Sequence, residues 1–172
     1  MTRRHHGLRF CILVSIVVLA ATSCAARTGT DDPPAMPATS TTSETPQAVT
    51  PGGTIINLEL ALTPEEIGQG LMYRPHLPED SGMLFLFQQN RVPSFWMKDT
   101  MIPLDLLFLD GKGVILEISE NAQPCAVEPC PQFIPDHAAW AVLEVNAGFA
   151  VHHGLAAGDT LVFANVPGYP RD

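Results

Sequence analysis

The residue types best suited to chemistry are concentrated in one stretch, residues 95–105, which read FWMKDTMIPLD. This stretch combines aromatic, thioether, ammonium and carboxylate side chains around a single proline. Lysine and arginine are scarce in the chain, with nine cations against 18 acids, so a lysine inside such a motif stands out. We expect any binding or catalytic site of the protein to lie near this stretch.

The charged residues of this stretch are expected to form a polar pocket over an aromatic floor, together with one arginine and one glutamate from elsewhere in the chain. A few polar groups on an apolar wall are typical of sites for small ligands or sugars. The candidate ligand-binding residues are Arg74, Trp96, Lys98, Asp99, Asp105 and Glu144. The alternative is an internal ion-pair network, in which the two cations neutralise carboxylates that are costly to bury alone.

An enzymatic interpretation uses three of these residues as acid and base. Asp99, Asp105 and Glu144 could act in glycan hydrolysis, which needs two carboxyl groups with separated pKa values. The sequence contains no Gly-x-Ser-x-Gly elbow, no His-Glu-x-x-His helix and no phosphate-cradling glycine loop. Binding without catalysis is therefore the preferred interpretation, and the sequence does not establish an enzyme.

Exported copper binding is a further alternative, because thioethers and imidazoles suit that metal. The residues concerned are Met72, Met83, Met97, Met101, His76, His152 and His153. Methionines among leucines and phenylalanines usually fill gaps in a core, and two adjacent histidines cannot both point inward from a regular element. We therefore assign no metal site and no cofactor from the sequence.

The N-terminus has the features of an export signal. A segment with three arginines precedes an uncharged run over residues 10–23, shorter than the about 20 apolar residues that a spanning helix needs. The small residues before Cys24 resemble a bacterial lipobox, which implies removal of residues 1–23 and a lipid anchor on Cys24. We expect a lipoprotein at the outer face of the cell membrane, or a secreted protein if the lipobox interpretation is wrong.

Residues 24–53 are rich in Thr, Ser, Pro and Ala and nearly lack large apolar side chains. Such a segment cannot form a core, so a disordered tether is predicted here. Removal of the signal leaves six cations against 18 acids, a formal charge of −12. The expected partners are thus the membrane, through Cys24, and an unknown envelope ligand, but not nucleic acid.

Two cysteines remain in the exported domain once Cys11 leaves with the signal and Cys24 carries lipid. Cys125 and Cys130 lie in a proline-rich loop. A metal site would need two further ligands, and only His137 is close in sequence. Because the extracytoplasmic space permits disulfides, we expect these two cysteines to be bonded to each other.

Hydrophobic patterning predicts a mainly β domain. Period-two alternation or runs of apolar residues predict strands near residues 56–62, 82–87, 92–97, 104–109, 114–118, 140–145 and 160–163. The Asp-Gly pair at 110–111 predicts a hairpin, and the Thr-Pro-x-Glu cap at Thr63 predicts a short helix. With a second helical turn at 147–154, the pattern indicates a single closed or nearly closed β-barrel or sandwich-like domain.

Five motifs in order resemble those of the bacterial and archaeal family called domain of unknown function 192. They are GLMYR at 70–74, GMLF at 82–85, FWMKDT at 95–100, IPLD at 102–105 and VLEVNAG at 142–148. The resemblance implies one β-rich domain, often exported, with no established activity, and Asp99 stands where many members have asparagine. We place this domain at residues 54–166, followed by a tail at 167–172.

Overall fold

A computed structural model of the protein describes residues 45–171. The predicted signal segment, the predicted lipidation at Cys24 and most of the predicted tether lie outside these residues. Within residues 45–171, no helix is both long enough and apolar enough to cross a membrane.

The described part of the chain forms a curled seven-stranded sheet, a two-stranded ribbon and two short helices. The elements are β1 Gln47–Val49, β2 Ile55–Ala61, α1 Pro64–Gln69, β3 Ser81–Arg91, β4 Phe95–Trp96, β5 Leu104–Leu109, β6 Ile115–Ala122, β7 Gln132–Phe133, β8 Ala139–Asn146, α2 Phe149–His152 and β9 Val162–Ala164. The sheet has the strand order β6-β5-β8-β3-β2-β1-β9, and β4 pairs with β7 in the ribbon. The predicted mainly β class with two short helical segments is confirmed.

The two edges of the sheet approach each other at one end. Val114, just before β6, pairs with Thr160, just before β9. The amide of Leu161 donates to the carbonyl of Gly113 at 2.9 Å. The sheet therefore curls into a half-barrel with partly protected edges, as expected of a fold that must limit its unpaired edge groups.

Three central strands, β3, β5 and β8, are buried on both faces. Leu84, Leu107 and Leu143 lie in one apolar cluster, while Phe85 and Phe108, which alternate with them along the strands, lie in a second cluster on the other face. Alternating side chains point to opposite faces of a strand, so both faces of the sheet are covered. The second cluster is the one that adjoins the motif-bearing segment.

The start of α1 follows the predicted cap. The Thr63 hydroxyl accepts a hydrogen bond from the Glu66 amide at 3.2 Å, and the Glu66 carboxylate accepts one from the Thr63 amide at 3.0 Å. This reciprocal pair satisfies amide groups that have no partner within the helix. The chain leaves α1 at Gly70 with φ 48°, a conformation that glycine adopts readily.

Three short strands differ from the sequence prediction, and one of them, β7, was not predicted at all. The tether was expected to run through residue 53, yet β1 pairs with both β2 and β9, and Ala48 is fully buried. The Pro-Gly-Gly sequence at 51–53 is thus the turn between β1 and β2. The strand expected over 92–97 is reduced to β4, in a segment where Pro93 has no amide hydrogen to donate.

The loop between β6 and β7 contains the predicted disulfide between Cys125 and Cys130. The amide of Cys125 donates to the carbonyl of Met97 at 3.0 Å, and the amide of Asp99 donates to the carbonyl of Cys125 at 3.1 Å. These bonds attach the base of the disulfide loop to the motif-bearing segment independently of the sulfur–sulfur bond.

Replacing both cysteines with serine is expected to leave the domain folded. A bridge over so short a loop stabilises by about 2 kcal/mol in the chain-entropy account, and less where prolines already restrict the unfolded loop. We expect faster amide exchange over residues 126–134, with the Asp99 and Cys125 amides still protected. Amide exchange on the exported protein measures this, and two reactive thiols in the oxidised wild type would contradict the bond itself.

Candidate functional site

The motif segment after β4 is held in place from two sides. On one side, the amide of Tyr73 donates to the carbonyl of Asp99 at 2.8 Å, and Met72 pairs with Thr100 as an isolated bridge. On the other side lies the disulfide loop, through Cys125. Asp99 has φ 56°, a left-handed conformation that aspartate tolerates better than most residues. The segment is therefore rigidly placed by backbone contacts.

Side chains of this segment alternate between the core and the surface. Phe95 and Met97 are buried in the second apolar cluster, where the Phe95 ring lies edge-on to Phe85 with centroids 5.0 Å apart. Trp96 between them is 45% exposed. An aromatic ring next to the buried anchor Phe95 and partly open to solvent is suited to stacking against a ligand.

A cavity of about 250 Å³ lies next to Trp96. Its lining comes from the end of α1, from β3, from the motif segment and from β8. Its lining includes Gly70, Phe85, Trp96, Thr100 and Glu144. A Cβ atom at Gly70 would lie 3.1 Å from the Phe85 ring, so glycine there lets the chain pass closely over the cavity wall.

Glu144 is the buried acid of this cavity, with 5% of its surface exposed. Burial raises the pKa of Glu144 to about 8, and burial is the single cause of that shift. Among residues 45–171, no salt bridge involves this side chain. At neutral pH, Glu144 is therefore a protonated carboxyl group that lines a cavity and can donate a hydrogen bond.

The predicted pocket residue Arg74 lies outside this cavity. Its guanidinium donates to both carboxylate oxygens of Glu59, at 2.5 and 2.7 Å, on the exposed surface of β2. These hydrogen bonds lower the pKa of the Glu59 carboxyl. Arg74 thus forms a surface ion pair with Glu59, and belongs neither to the predicted pocket nor to the predicted internal ion-pair network.

Lys98 and Asp99 also lie outside the cavity. Lys98 forms a salt bridge with Glu128 of the disulfide loop, which raises the pKa of the lysine, and its ammonium is 5.4 Å from the centre of the Trp96 ring. Asp99 accepts a hydrogen bond from the Tyr73 hydroxyl at 3.0 Å. Lys98 thus lies near Trp96 with Glu128 as its partner, and Asp99 is bonded to Tyr73 on the surface.

Asp105 is fully buried and has a structural role. Its Oδ1 accepts from the Asn121 amide at 2.8 Å and its Oδ2 from the Ala150 amide at 2.9 Å. In the register between β5 and β8, Asp105 is opposite Val145, and Glu144 is opposite Leu106. Asp105 and Glu144 therefore point to opposite faces of the sheet. Of the six candidate residues, the structure brings only Trp96 and Glu144 together in one cavity.

Comparison with known proteins identifies the domain. The family profile described as "Uncharacterized ACR" matches residues 47–163, which is most of the described region. The chain belongs to the DUF192 family. The match begins within β1, in agreement with the structure and ahead of the domain start predicted at residue 54. No curated protein matches the chain significantly.

Solved structures contain the same DUF192 fold. One, from Sinorhizobium meliloti and described as a candidate transcription regulator, is 37% identical with a TM-score of 0.63, over 70% of this chain and 93% of that one. Another, a protein of unknown function from Novosphingobium aromaticivorans, is 32% identical with a TM-score of 0.63, over 69% of this chain and 83% of that one. The family and these structures establish the fold and leave the function of the DUF192 domain open.

The DUF192 domain does not assemble the copper ligands considered from the sequence. Met83 and Met97 are buried in the second apolar cluster, whereas Met101 is 59% exposed. The histidines His76, His152 and His153 line a different hollow. Among residues 45–171, no group of three histidine, cysteine or acidic side chains is placed to hold a metal ion.

Three cavity features of the DUF192 domain escaped the sequence analysis. The glycines after α1 appeared only as weak helix formers, although Gly70 shapes the cavity wall. Thr100 is buried beside Glu144's cavity, and Arg91 reaches the cavity from the end of β3 while its guanidinium lies 4.3 Å from the centre of the Phe87 ring. In the sequence, the one signal for any of these features was a glycine, Gly70, placed directly after a helix with a predicted N-cap.

Proposed function

We propose that this chain is an exported, lipid-anchored protein whose DUF192 domain binds a small neutral molecule in the cavity beside Trp96. The observation that carries this proposal is Glu144, a buried acid without a charged partner in the described region that lines a cavity. Buried polar groups normally have hydrogen-bond partners, and an unused one in a cavity is a marker of a binding site.

The chemistry of the cavity favours a ligand with hydroxyl or carbonyl groups and one apolar face. A protonated Glu144 donates to an oxygen and accepts from a hydroxyl. The Thr100 hydroxyl and the Arg91 guanidinium add further polar groups that can bind ligand oxygens, while Phe85 and the Trp96 ring supply apolar surface. One sugar ring of an envelope glycan has this combination of polar edges and an apolar face.

The size of the cavity limits the ligand. Sites for drug-sized molecules have volumes of about 300 to 1,000 Å³. The cavity of about 250 Å³ is therefore suited to a small molecule or to one terminal unit of a polymer. The partly exposed Trp96 at its side leaves room for the rest of a polymer to continue into solvent.

Binding is favoured over glycan hydrolysis by the position of the carboxyl groups. Hydrolysis needs two carboxyl groups about 5 to 9 Å apart on either side of one bond. Asp105 is used by two backbone amides on the other face of the sheet, and Asp99 does not line the cavity. Glu144 is thus the one acid of the original three that faces this cavity.

A thermal-shift screen of the full chain in non-ionic detergent tests the binding proposal. Neutral sugars, other metabolites and metals are the probes, and a ligand at about 100 times its dissociation constant stabilises by about 2.7 kcal/mol. We expect a neutral hydroxylated compound to raise the melting temperature of the wild type. Trp96→Ala should lose at least half of that shift, while the control Val162→Ala, changed at an exposed site outside the cavity, should keep it. Equal shifts in both variants would contradict the site.

The lipid anchor has its own test. We expect the mature protein to enter the membrane fraction and the detergent phase, because several acyl chains on one cysteine suffice to hold a folded domain at a bilayer. Cys24→Ala should abolish acylation and release or mislocalise the protein. Labelling with a radioactive fatty acid measures this directly, and a Cys24→Ala protein that is still acylated would contradict the lipobox interpretation.

A further inference from the structure

We propose that a second hollow, beside the turn between β5 and β6, binds a phosphate group. The hollow has a volume of about 490 Å³. Its lining includes Asn90, Lys112, His137, Trp140 and Arg171. None of these residues lines the cavity of Glu144, so phosphate binding here is independent of ligand binding beside Trp96.

Arg171 is the fixed cation of this hollow. Its guanidinium lies 4.4 Å from the centre of the Trp140 ring, and one of its nitrogens donates to the Phe87 carbonyl at 3.0 Å. Its Nε is buried without a hydrogen-bond partner within the described part of the chain. Contacts with an aromatic ring and a carbonyl orient this guanidinium, and no salt bridge among residues 45–171 involves it, which suits the binding of an anion.

Further donors face the same hollow. Lys112 and His137 are exposed, and the salt bridges formed among residues 45–171 use neither of them. The acid in the lining, Asp110, has its Oδ1 bonded to the amides of Lys112 and Val114 at 2.7 and 2.9 Å, and its single negative charge is outweighed by the two positive charges of Lys112 and Arg171. The hollow therefore presents cationic donors on a chain whose acids outnumber its cations two to one.

The arrangement favours phosphate over a carboxylate. The hollow is lined by donor side chains from four different segments of the chain, Arg171, Lys112, His137 and Asn90. A phosphate group has three or more acceptor oxygens and up to two charges, whereas a carboxylate has two coplanar oxygens. Inorganic phosphate and the phosphate of a lipid headgroup present the same chemistry to the hollow.

Calorimetric titration of the full chain in non-ionic detergent tests this site. The probes are inorganic phosphate and glycerol 3-phosphate, which represents a lipid headgroup in soluble form. The probe that binds with the lower dissociation constant indicates whether the natural ligand is free phosphate or a lipid headgroup. We expect saturable binding with a dissociation constant on the order of 1 mM. Lys112→Gln should weaken it about fivefold and Arg171→Gln more than tenfold. The Trp96→Ala variant should bind phosphate as the wild type does.

The matched control is Lys98→Gln, which removes the same charge from a salt bridge outside the hollow. Phosphate affinity in this variant should remain within about twofold of the wild type, because Lys98 does not line the hollow and exposed charges are partly screened by salt. Lys112→Gln changes an exposed turn residue, so it keeps the test valid if Arg171→Gln disturbs packing. The site is overturned if neither probe binds saturably, or if Lys98→Gln weakens binding as much as Lys112→Gln does.

Discussion

The stability of the wild type relative to Glu144→Gln is expected to fall as the pH rises from about 4.5 to about 8. The pKa of Glu144 is about 8 in the folded protein and 4.5 as its ordinary value. In this interval the folded state keeps a proton that the unfolded state has released, so stability declines with pH by up to about 1.4 kcal/mol per unit. The stability that the protonated Glu144 carboxyl contributes is fully present below pH 4.5 and is lost as the pH passes 8.

Glu144→Gln keeps the shape of the side chain and cannot ionise. Above pH 8 we expect this variant to be more stable than the wild type by a few kcal/mol, with little difference near pH 4.5. Urea unfolding at several pH values measures the difference. The control Glu65→Gln, on the exposed face of α1, should stay within about 0.5 kcal/mol of the wild type throughout. Parallel curves for the wild type and Glu144→Gln would show that Glu144 is not buried as the structure describes.

Asp105→Ala is expected to destabilise the domain by about 3 to 5 kcal/mol. The substitution removes the acceptor of two amides, those of Asn121 and Ala150, at a fully buried position. The Ala150 amide then loses its partner at a buried position and the Asn121 amide at a partly buried one, and the links from β5 to β6 and to α2 are lost together. Asp105→Asn retains one acceptor oxygen and should cost roughly half as much.

Chemical denaturation measures the effect of Asp105→Ala, with Asp136→Ala as the control. Asp136 is exposed in the loop before β8, and its truncation should change the free energy of unfolding by less than about 0.5 kcal/mol. A cost below about 1 kcal/mol for Asp105→Ala would contradict its structural role. Such a result would return Asp105 to the list of candidate site residues.

Much of the fold follows from sequence signals that act over short distances. The alternation in β2, the Asp-Gly hairpin between β5 and β6 and the Thr63 cap each depend on neighbouring residues, and all three are observed. By contrast, β1 and β7 have three and two residues. Segments so short carry too little alternation to be recognised, and both have a partner far away in sequence, β9 for β1 and β4 for β7.

The sequence indicated which residue types could form a site, but not which of these residues lie together in the fold. Trp96 and Glu144 were found because a large aromatic ring and an acid inside an apolar strand are unusual. Arg74 and Lys98 were misplaced because their partners, Glu59 and Glu128, are distant in sequence. The separation of Asp105 from Glu144 depends on the register between β5 and β8, and a shift of one residue would have placed both on one face.

Affinity for the neutral ligand, measured as a function of pH, shows whether the Glu144 carboxyl donates a hydrogen bond to that ligand. If the protonated carboxyl of Glu144 donates a hydrogen bond to the ligand, the affinity of the wild type should be constant below about pH 8 and should fall up to tenfold per unit above it. Glu144→Gln, which keeps a donor at every pH, should show no such fall, and Glu144→Leu should bind at least tenfold more weakly. An affinity that stays unchanged or rises through pH 8 in the wild type, together with full binding by Glu144→Leu, would contradict the role of Glu144 as the ligand-binding group.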